Sequence, residues 1–194
     1  MIVGVLGLQG AVREHVRSLD QLGVETRIVK QLRDLDGLDA LVLPGGESTT
    51  ISLLGENGIL GRLREMAQKG FPMFGTCAGM ILLAVEAEGR ERPGLDAIDI
   101  AVARNASGRQ VDSFETLLVV DEVGDDVPAV FIRAPYVTRL GEGVVPMARH
   151  DGFVVMAREG SVLVASFHPE LTEDLRVHRY FIEQVAHRGK ENDR

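Results

Sequence analysis

The chain has 194 residues, 45% of them apolar and 26% charged, which suits one full-sized domain with its own core and excludes disorder. Its 21 basic and 29 acidic residues leave a formal net charge of −8, a surface that repels phosphate backbones, so no nucleic-acid partner is expected. There is one cysteine, Cys77, so no disulfide forms within the chain, and the expected compartment is the cytoplasm.

The opening run Ile2–Leu8 is continuously apolar and lacks a leading positive charge, so it reads as a buried strand rather than a signal peptide. No apolar run is long enough to span a bilayer, and no membrane partner is expected. Val12, Val16, Leu19 and Leu22 recur at helical spacing, and Gly23 closes that helix. Glu25–Lys30 and Ala40–Leu43 read as strands, the latter stopped by Pro44-Gly45-Gly46. Helical signal runs from about residue 49 to 68, interrupted at 55–58. Phe71–Phe74 is a strand, followed by Gly75-Thr76-Cys77-Ala78-Gly79 and an apolar helix over Met80–Ala87. This alternation predicts βαβ units on an open parallel sheet.

Beyond Gly89 the pattern turns strand-rich. Ile98–Ala103, Phe114–Val120, Val130–Arg133, Gly152–Arg158 and Ser161–Phe167 are strand-like, with hairpin connections at His150-Asp151-Gly152 and Arg158-Glu159-Gly160. An antiparallel portion continuing the parallel sheet is the expectation. A closing helix is predicted from Thr172 as N-cap, with Glu173 and Asp174 in its first turn, and the polar tail from Arg188 is expected to fray. No linker divides the chain, so residues 1–194 read as one domain.

Three segments carry candidate chemistry. Gly75-x-Cys77-x-Gly79 lies between a strand and a helix, the setting of a nucleophile elbow. There the helix N-terminus favours thiolate over thiol, and the N–H of Ala78 is aimed at a developing oxyanion. A buried structural cysteine in a strand-to-helix turn fits the same five residues equally well. Ser166-Phe167-His168-Pro169-Glu170 follows a strand, which puts His168 and Glu170 at the sheet edge where α/β active sites sit. His168 can serve as base, and Glu170 can hold its second nitrogen. A surface histidine near a helix start is the commoner origin of an isolated His-Pro-Glu. His15, His150, His178 and His187 read as surface or helix-face residues.

Pro44-Gly45-Gly46-Glu47-Ser48 offers bare backbone at a strand end, with Gly46 N–H a candidate second oxyanion donor, although alone it reads as a loop. No Gly-Lys-Ser/Thr follows, which excludes a Walker loop, and Gly4-x-x-Gly7-x-x-Gly10 has the wrong spacing for a dinucleotide fingerprint. Convergence of three modest signals at one edge of one sheet is improbable by accident.

Together these residues resemble the class I (triad) glutamine amidotransferases. The likeness tightens through Gly7-Leu8-Gln9-Gly10-Ala11, the stretch from Leu43 to Thr50, the Cys77 elbow, the stretch from Gly108 to Glu115, Phe131-Ile132-Arg133-Ala134-Pro135 and the stretch from Phe167 to Asp174. In that combination the chain is similar to the glutaminase subunits of pyridoxal 5′-phosphate synthases over essentially its whole length. The resemblance implies a three-layer αβα sandwich around a flavodoxin-like mixed sheet, with Cys77 as nucleophile, His168 as base and Glu170 orienting it. It sets L-glutamine against Gly46, Glu47, Ser48, Arg104, Ile132 and Arg133, and arginine suits the substrate's α-carboxylate. It implies no metal or cofactor, and a TIM-barrel synthase subunit as the partner that receives the ammonia. Ser107 departs from the family, which usually has an aromatic residue there. The alternatives are the same chemistry serving another synthase, as in histidine biosynthesis, a cysteine peptidase or γ-glutamyl hydrolase, and a scaffold without turnover.

Overall fold

A computed structural model describes residues 1–46, 58–90, 94–103 and 113–186. Calls on Glu47, Ser48, Arg104 and Ser107, on the helical signal over 49–57, on most of the 108–115 segment and on the tail lie outside these residues.

The first strand, β1 (Ile2–Leu6), pairs in parallel with β2 (Glu25–Val29) on one side and β3 (Ala40–Leu43) on the other. β3 pairs in parallel with β4 (Met73–Thr76), and β4 pairs in parallel with the last strand, β12 (Val162–Ala165). Beyond β12 the sheet turns antiparallel through β11 (Phe153–Glu159), β9 (Tyr136–Leu140) and β6 (Ile98–Ala103). β5 (Ala84–Ala87) lies parallel to β6 at the edge, and β10 (Val145–His150) pairs with β11. β7 (Ser113–Val120) and β8 (Gly124–Ile132) form a separate antiparallel ribbon. A parallel half with an antiparallel continuation is what the sequence pattern predicts.

Both faces of the parallel half are covered, which is why its strands read as unbroken apolar runs. Alternation along β3 and β4 sends Leu41, Leu43 and Met73 to one core, with Ile59, Leu63 and Met66 of α2 (Ile59–Gln68) and Met80 and Leu83 of α3 (Ala78–Leu83). Ala40, Val42 and Phe74 point to the other face, against Leu19 of α1 (Val12–Gln21), Val177 and Tyr180 of α4 (Arg176–Tyr180) and the π-helical continuation Phe181–Ala186. The sheet is therefore the middle of three layers. No helix among the described residues is long and apolar enough to cross a membrane.

Some expectations need correction, among them β8, which begins at Gly124 rather than Val130. The helix foreseen over Met80–Ala87 stops at Leu83, and Ala84–Ala87 is strand. Its last carbonyls are taken from outside: Leu82 and Leu83 accept from the N–H groups of Leu95 and Ala97, and Ile81 and Ala84 from the Arg90 guanidinium. Tertiary donors thus outcompete the next helical turn. The closing helix begins at Arg176 rather than at a Thr172 cap, and its N-cap Leu175 offers no side-chain bond. Thr172 Oγ1 instead accepts from Asp174 N–H, and Asp174 accepts from Arg176 N–H. Strands β9 and β10 were unforeseen: β10 contains Pro146 and two register shifts, which erase the period-two signal.

Both hairpins form. His150 pairs with Phe153 across Asp151 (φ 49°) and Gly152 (φ 83°), the two left-handed positions of a type I′ turn. Glu159 pairs with Val162 across Gly160-Ser161.

The elbow glycines are required by close approach. A Cβ on Gly79 would overlap the Leu43 carbonyl oxygen, and one on Gly75 would lie 2.6 Å from both Gly79 C and Leu83 Cδ1. Gly79→Ala is expected to lower stability by about 1–3 kcal/mol, as overpacking against unyielding backbone does. Gly61 sits inside α2 with nothing near its missing Cβ, so Gly61→Ala should raise stability by about 0.4–1 kcal/mol. Denaturant unfolding of the two variants checks both signs.

Candidate active site

The site lies where the parallel strands end. Thr76 closes β4, and Cys77 is the N-cap of α3 with φ 49° and ψ −105°, a left-handed conformation that a non-glycine residue adopts under strain. Its N–H donates to Ala165 O of β12 at 2.8 Å, and its carbonyl accepts the first helical bond from Ile81 N–H at 3.3 Å. The elbow foreseen from Gly-x-Cys-x-Gly is present, and Cys77 is half-buried rather than sealed in the core. Ala78 opens the helix, where N–H groups lack intrahelical acceptors.

His168 arrives from the neighbouring strand. After β12 the chain continues to His168, whose N–H donates to Val130 O of β8 at 2.8 Å. Pro169 then opens a short 3-10 turn, Pro169–Leu171, closed by Leu171 N–H to His168 O at 3.2 Å. With φ of Pro169 locked by its ring, the turn brings Glu170 back against its own histidine. His168 Nδ1 donates to Glu170 Oε1 at 2.7 Å, and both residues are buried. Cys77 lies on the other side of the ring, close enough to help raise its pKa.

Electrostatics separate this histidine from the rest. Burial opposes its charge, yet the hydrogen bonds to Cys77 and Glu170 and the charges of both outweigh it, raising its pKa from 6.5 to about 10. His168 is an imidazolium at neutral pH.

The remaining predicted residues divide. Gly45 packs directly on the site: a Cβ there would lie 2.6 Å from His168 Cε1 and 3.1 Å from Cys77 Cβ. Gly46, exposed, follows it and rests near the Gln9–Gly10 backbone. Ile132 ends β8 with its carbonyl oxygen 3.9 Å from Cys77 Sγ, and exposed Arg133 follows in a left-handed conformation, φ 44°. β8 thus supplies one wall.

A further pair of side chains lies behind Glu170. His15 and His178, surface or helix-face residues by their sequence setting, are completely buried. His15 Nδ1 lies 2.9 Å from His178 Nε2, and His15 Nε2 lies 3.1 Å from Thr76 Oγ1 and 3.5 Å from Glu170 Oε2. Thr76 Oγ1 also accepts the Gly45 N–H at 3.2 Å. A signal was available: His15 falls three residues after Val12 and four before Leu19, on the apolar face of α1. His150 is half-buried, stacked on Phe114 and Phe131 at 5.1 and 5.6 Å, and His187 lies outside the described residues.

Comparison with known proteins gives the chain's family and its fold relatives. The pyridoxal 5′-phosphate synthase subunit PdxT of Carboxydothermus hydrogenoformans is 54% identical over 188 residues, covering 96% of this chain and 98% of the relative. The protein of the same name from Corynebacterium jeikeium is 54% identical over 195 residues, covering 98% and 100%. A crystal structure of a glutamine amidotransferase superposes with a TM-score of 0.91 at 51% identity, covering 96% of this chain and all of that one. PurLQS from Thermotoga maritima, at 16% identity and a TM-score of 0.67 over 93% of this chain and 96% of its own, shares the fold. The sequence profile of the SNO glutamine amidotransferase family matches residues 5–187, and the chain belongs to that family.

Proposed function

We propose that this chain is the glutaminase of a pyridoxal 5′-phosphate synthase, working in the cytoplasm as a single amidotransferase domain and passing ammonia to a TIM-barrel synthase subunit. The observation that carries the reading is the Cys77–His168–Glu170 line, with the 2.7 Å bond from His168 Nδ1 to Glu170 Oε1 behind a half-buried thiol. The names of the relatives support the biosynthetic assignment. A separate synthase is supported by the chemistry, because the line of groups releases ammonia and no group in it consumes any.

In this mechanism the Cys77 sulfur attacks the side-chain amide carbon of L-glutamine, forming the C–S bond of a tetrahedral intermediate. Backbone N–H groups of Gly46 and Ala78 hold its oxyanion. The C–N bond breaks as His168 delivers its proton to the departing nitrogen, and ammonia leaves. Water then adds to the γ-glutamyl thioester with His168 accepting a proton, and C–S cleavage releases L-glutamate and restores the thiolate–imidazolium pair. Glu47, Ser48 and Arg104, with Gly46, Ile132 and Arg133, are the proposed contacts of the glutamine backbone groups. The arginines are suited to its α-carboxylate.

Cys77→Ala should reduce glutamate release to background, at least about a thousand-fold down, with unfolding unchanged. The assay is glutamate formation by the chain mixed with its synthase subunit; residual turnover in the variant would sink the nucleophile assignment.

The raised His168 pKa has a stability consequence. The folded state holds this proton more tightly than the unfolded chain, so the stabilisation is fully present below the unfolded value of 6.5 and is lost as pH rises through about 10. Melting temperatures should therefore fall more steeply between pH 7 and 10 for the native chain than for His168→Gln, and parallel curves would contradict the assigned charge.

A further inference from the structure

The reaction above uses one oxygen of Glu170. The other, Oε2, is buried and makes no hydrogen bond of ordinary geometry among the described residues. Facing it at 3.5 Å is Nε2 of His15. The His15 ring is sealed between Thr76, His178 and the edge of Phe74, and Phe74 also packs edge-on against His178. The charged or titratable groups against His15 are therefore Glu170 and His178, with His168 just beyond, and there is no solvent face.

Both inner histidines are neutral. Burial, aided by the repulsion a protonated ring would meet from His178 and His168, holds the His15 pKa well below 6.5, and burial alone brings His178 down to about 4. A neutral imidazole carries one N–H, so the 2.9 Å bond between the rings has two possible proton arrangements. If His15 Nδ1 donates to His178 Nε2, the remaining His178 proton sits on Nδ1, which is buried and without a partner among the described residues. That arrangement also leaves His15 Nε2 a lone pair, which the Thr76 hydroxyl can fill at 3.1 Å, but it leaves no proton between this nitrogen and the Glu170 carboxylate. Both consequences are unfavourable. In the reverse arrangement His178 Nε2 donates to His15 Nδ1, and His178 Nδ1 keeps only a lone pair. The His15 proton then lies on Nε2, between Thr76 Oγ1 and Glu170 Oε2, where it meets acceptors.

We propose that His15 is a positioning residue, donating its Nε2–H toward Glu170 Oε2 and so holding that carboxylate in register with His168, with His178 fixing the His15 tautomer from behind. The inference rests on the glutaminase reading. Glu170 follows its histidine by two residues on a short turn, and a carboxylate gripped at one oxygen only is free to swing about its terminal torsion. A donor at the second oxygen fixes both. Thr76 widens the grip: the same hydroxyl takes the Gly45 N–H, so the loop beside the nucleophile and the triad carboxylate meet at one ring.

The test combines kinetics with a measurement that does not need turnover. With the synthase subunit present, His15→Leu should lower kcat roughly ten- to a hundred-fold with KM for glutamine within about twofold, the effect of a slightly misplaced catalytic group. By NMR titration of the whole chain, the His168 ring in that variant should lose its proton at a lower pH than in the native protein. His15→Gln, whose amide N–H reaches a similar place, should recover most of the kcat and of the His168 titration. Native kcat and native His168 titration in His15→Leu would overturn the proposal. Should the leucine variant not fold, nitrogen shifts of the native chain at neutral pH decide: His15 and His178 both protonated at Nε2 is the expected result, and His15 protonated at Nδ1 overturns it. Failure of the native chain to release glutamate with its synthase would remove the proposed function, while the tautomers and the His168 titration would still judge the His15 contact.

Discussion

The parallel pairing of β4 with β12 is the constraint from which the site follows. Met73–Thr76 and Val162–Ala165 run side by side in register, and the next residue of β4, Cys77, donates its N–H to Ala165, the last residue of β12. One strand turns into the helix capped by Cys77 and its neighbour continues to His168, so both groups emerge at one level of one rigid edge. Strands embedded on both faces hold such a geometry more tightly than loops do. The elbow glycines serve the same pairing. With Gly79 seated on the Leu43 carbonyl and Gly75 against Gly79, α3 approaches the sheet closely enough for Cys77 to face His168.

Burial is the leading influence on all three histidines at this end of the sheet, and in each it disfavours charge. What differs is company. His168 lies between Cys77 and the near oxygen of Glu170, and together they outweigh burial; His15, fully sealed, meets only the far oxygen of Glu170 at 3.5 Å with Thr76 and His178 around it, and burial keeps both inner rings neutral. Environments that drive neighbouring titratable groups apart are how a single pocket keeps one charged donor among neutral ones.

Much of this was legible in the sequence, and the failures share one cause. β3 and β6 fall where their apolar runs predict, both hairpins form at their turn residues, and the short local patterns around Cys77 and His168-Pro169-Glu170 do meet at one sheet edge. What escaped depends on distant partners. Nothing near Leu83 announces that Leu95, Ala97 and Arg90 will claim the carbonyls of the preceding helix. Most of β8 was also missed, since Gly124, Asp125, Asp126 and Pro128 are poor strand formers. Arg176 binds the carbonyls of Asp125 and Asp126, and β7 pairs along the ribbon. His15 and His178 are 163 positions apart, so their contact exists only once α1 and α4 pack on the same face. Their phase on the apolar side of each helix was visible; the polar chemistry it hides was not.

The half-buried thiol at the elbow is also the only sulfhydryl the chain possesses. A peroxide that reaches it would form a sulfenic acid with no second cysteine in the molecule to condense with, so an internal disulfide cannot shield the sulfur from further oxidation. Recovery would have to come from an outside reductant small enough to enter beside Ile132. The same strand edge thus leaves the protein with one oxidisable thiol at its elbow, and ties the state of that sulfur to the reductants around it.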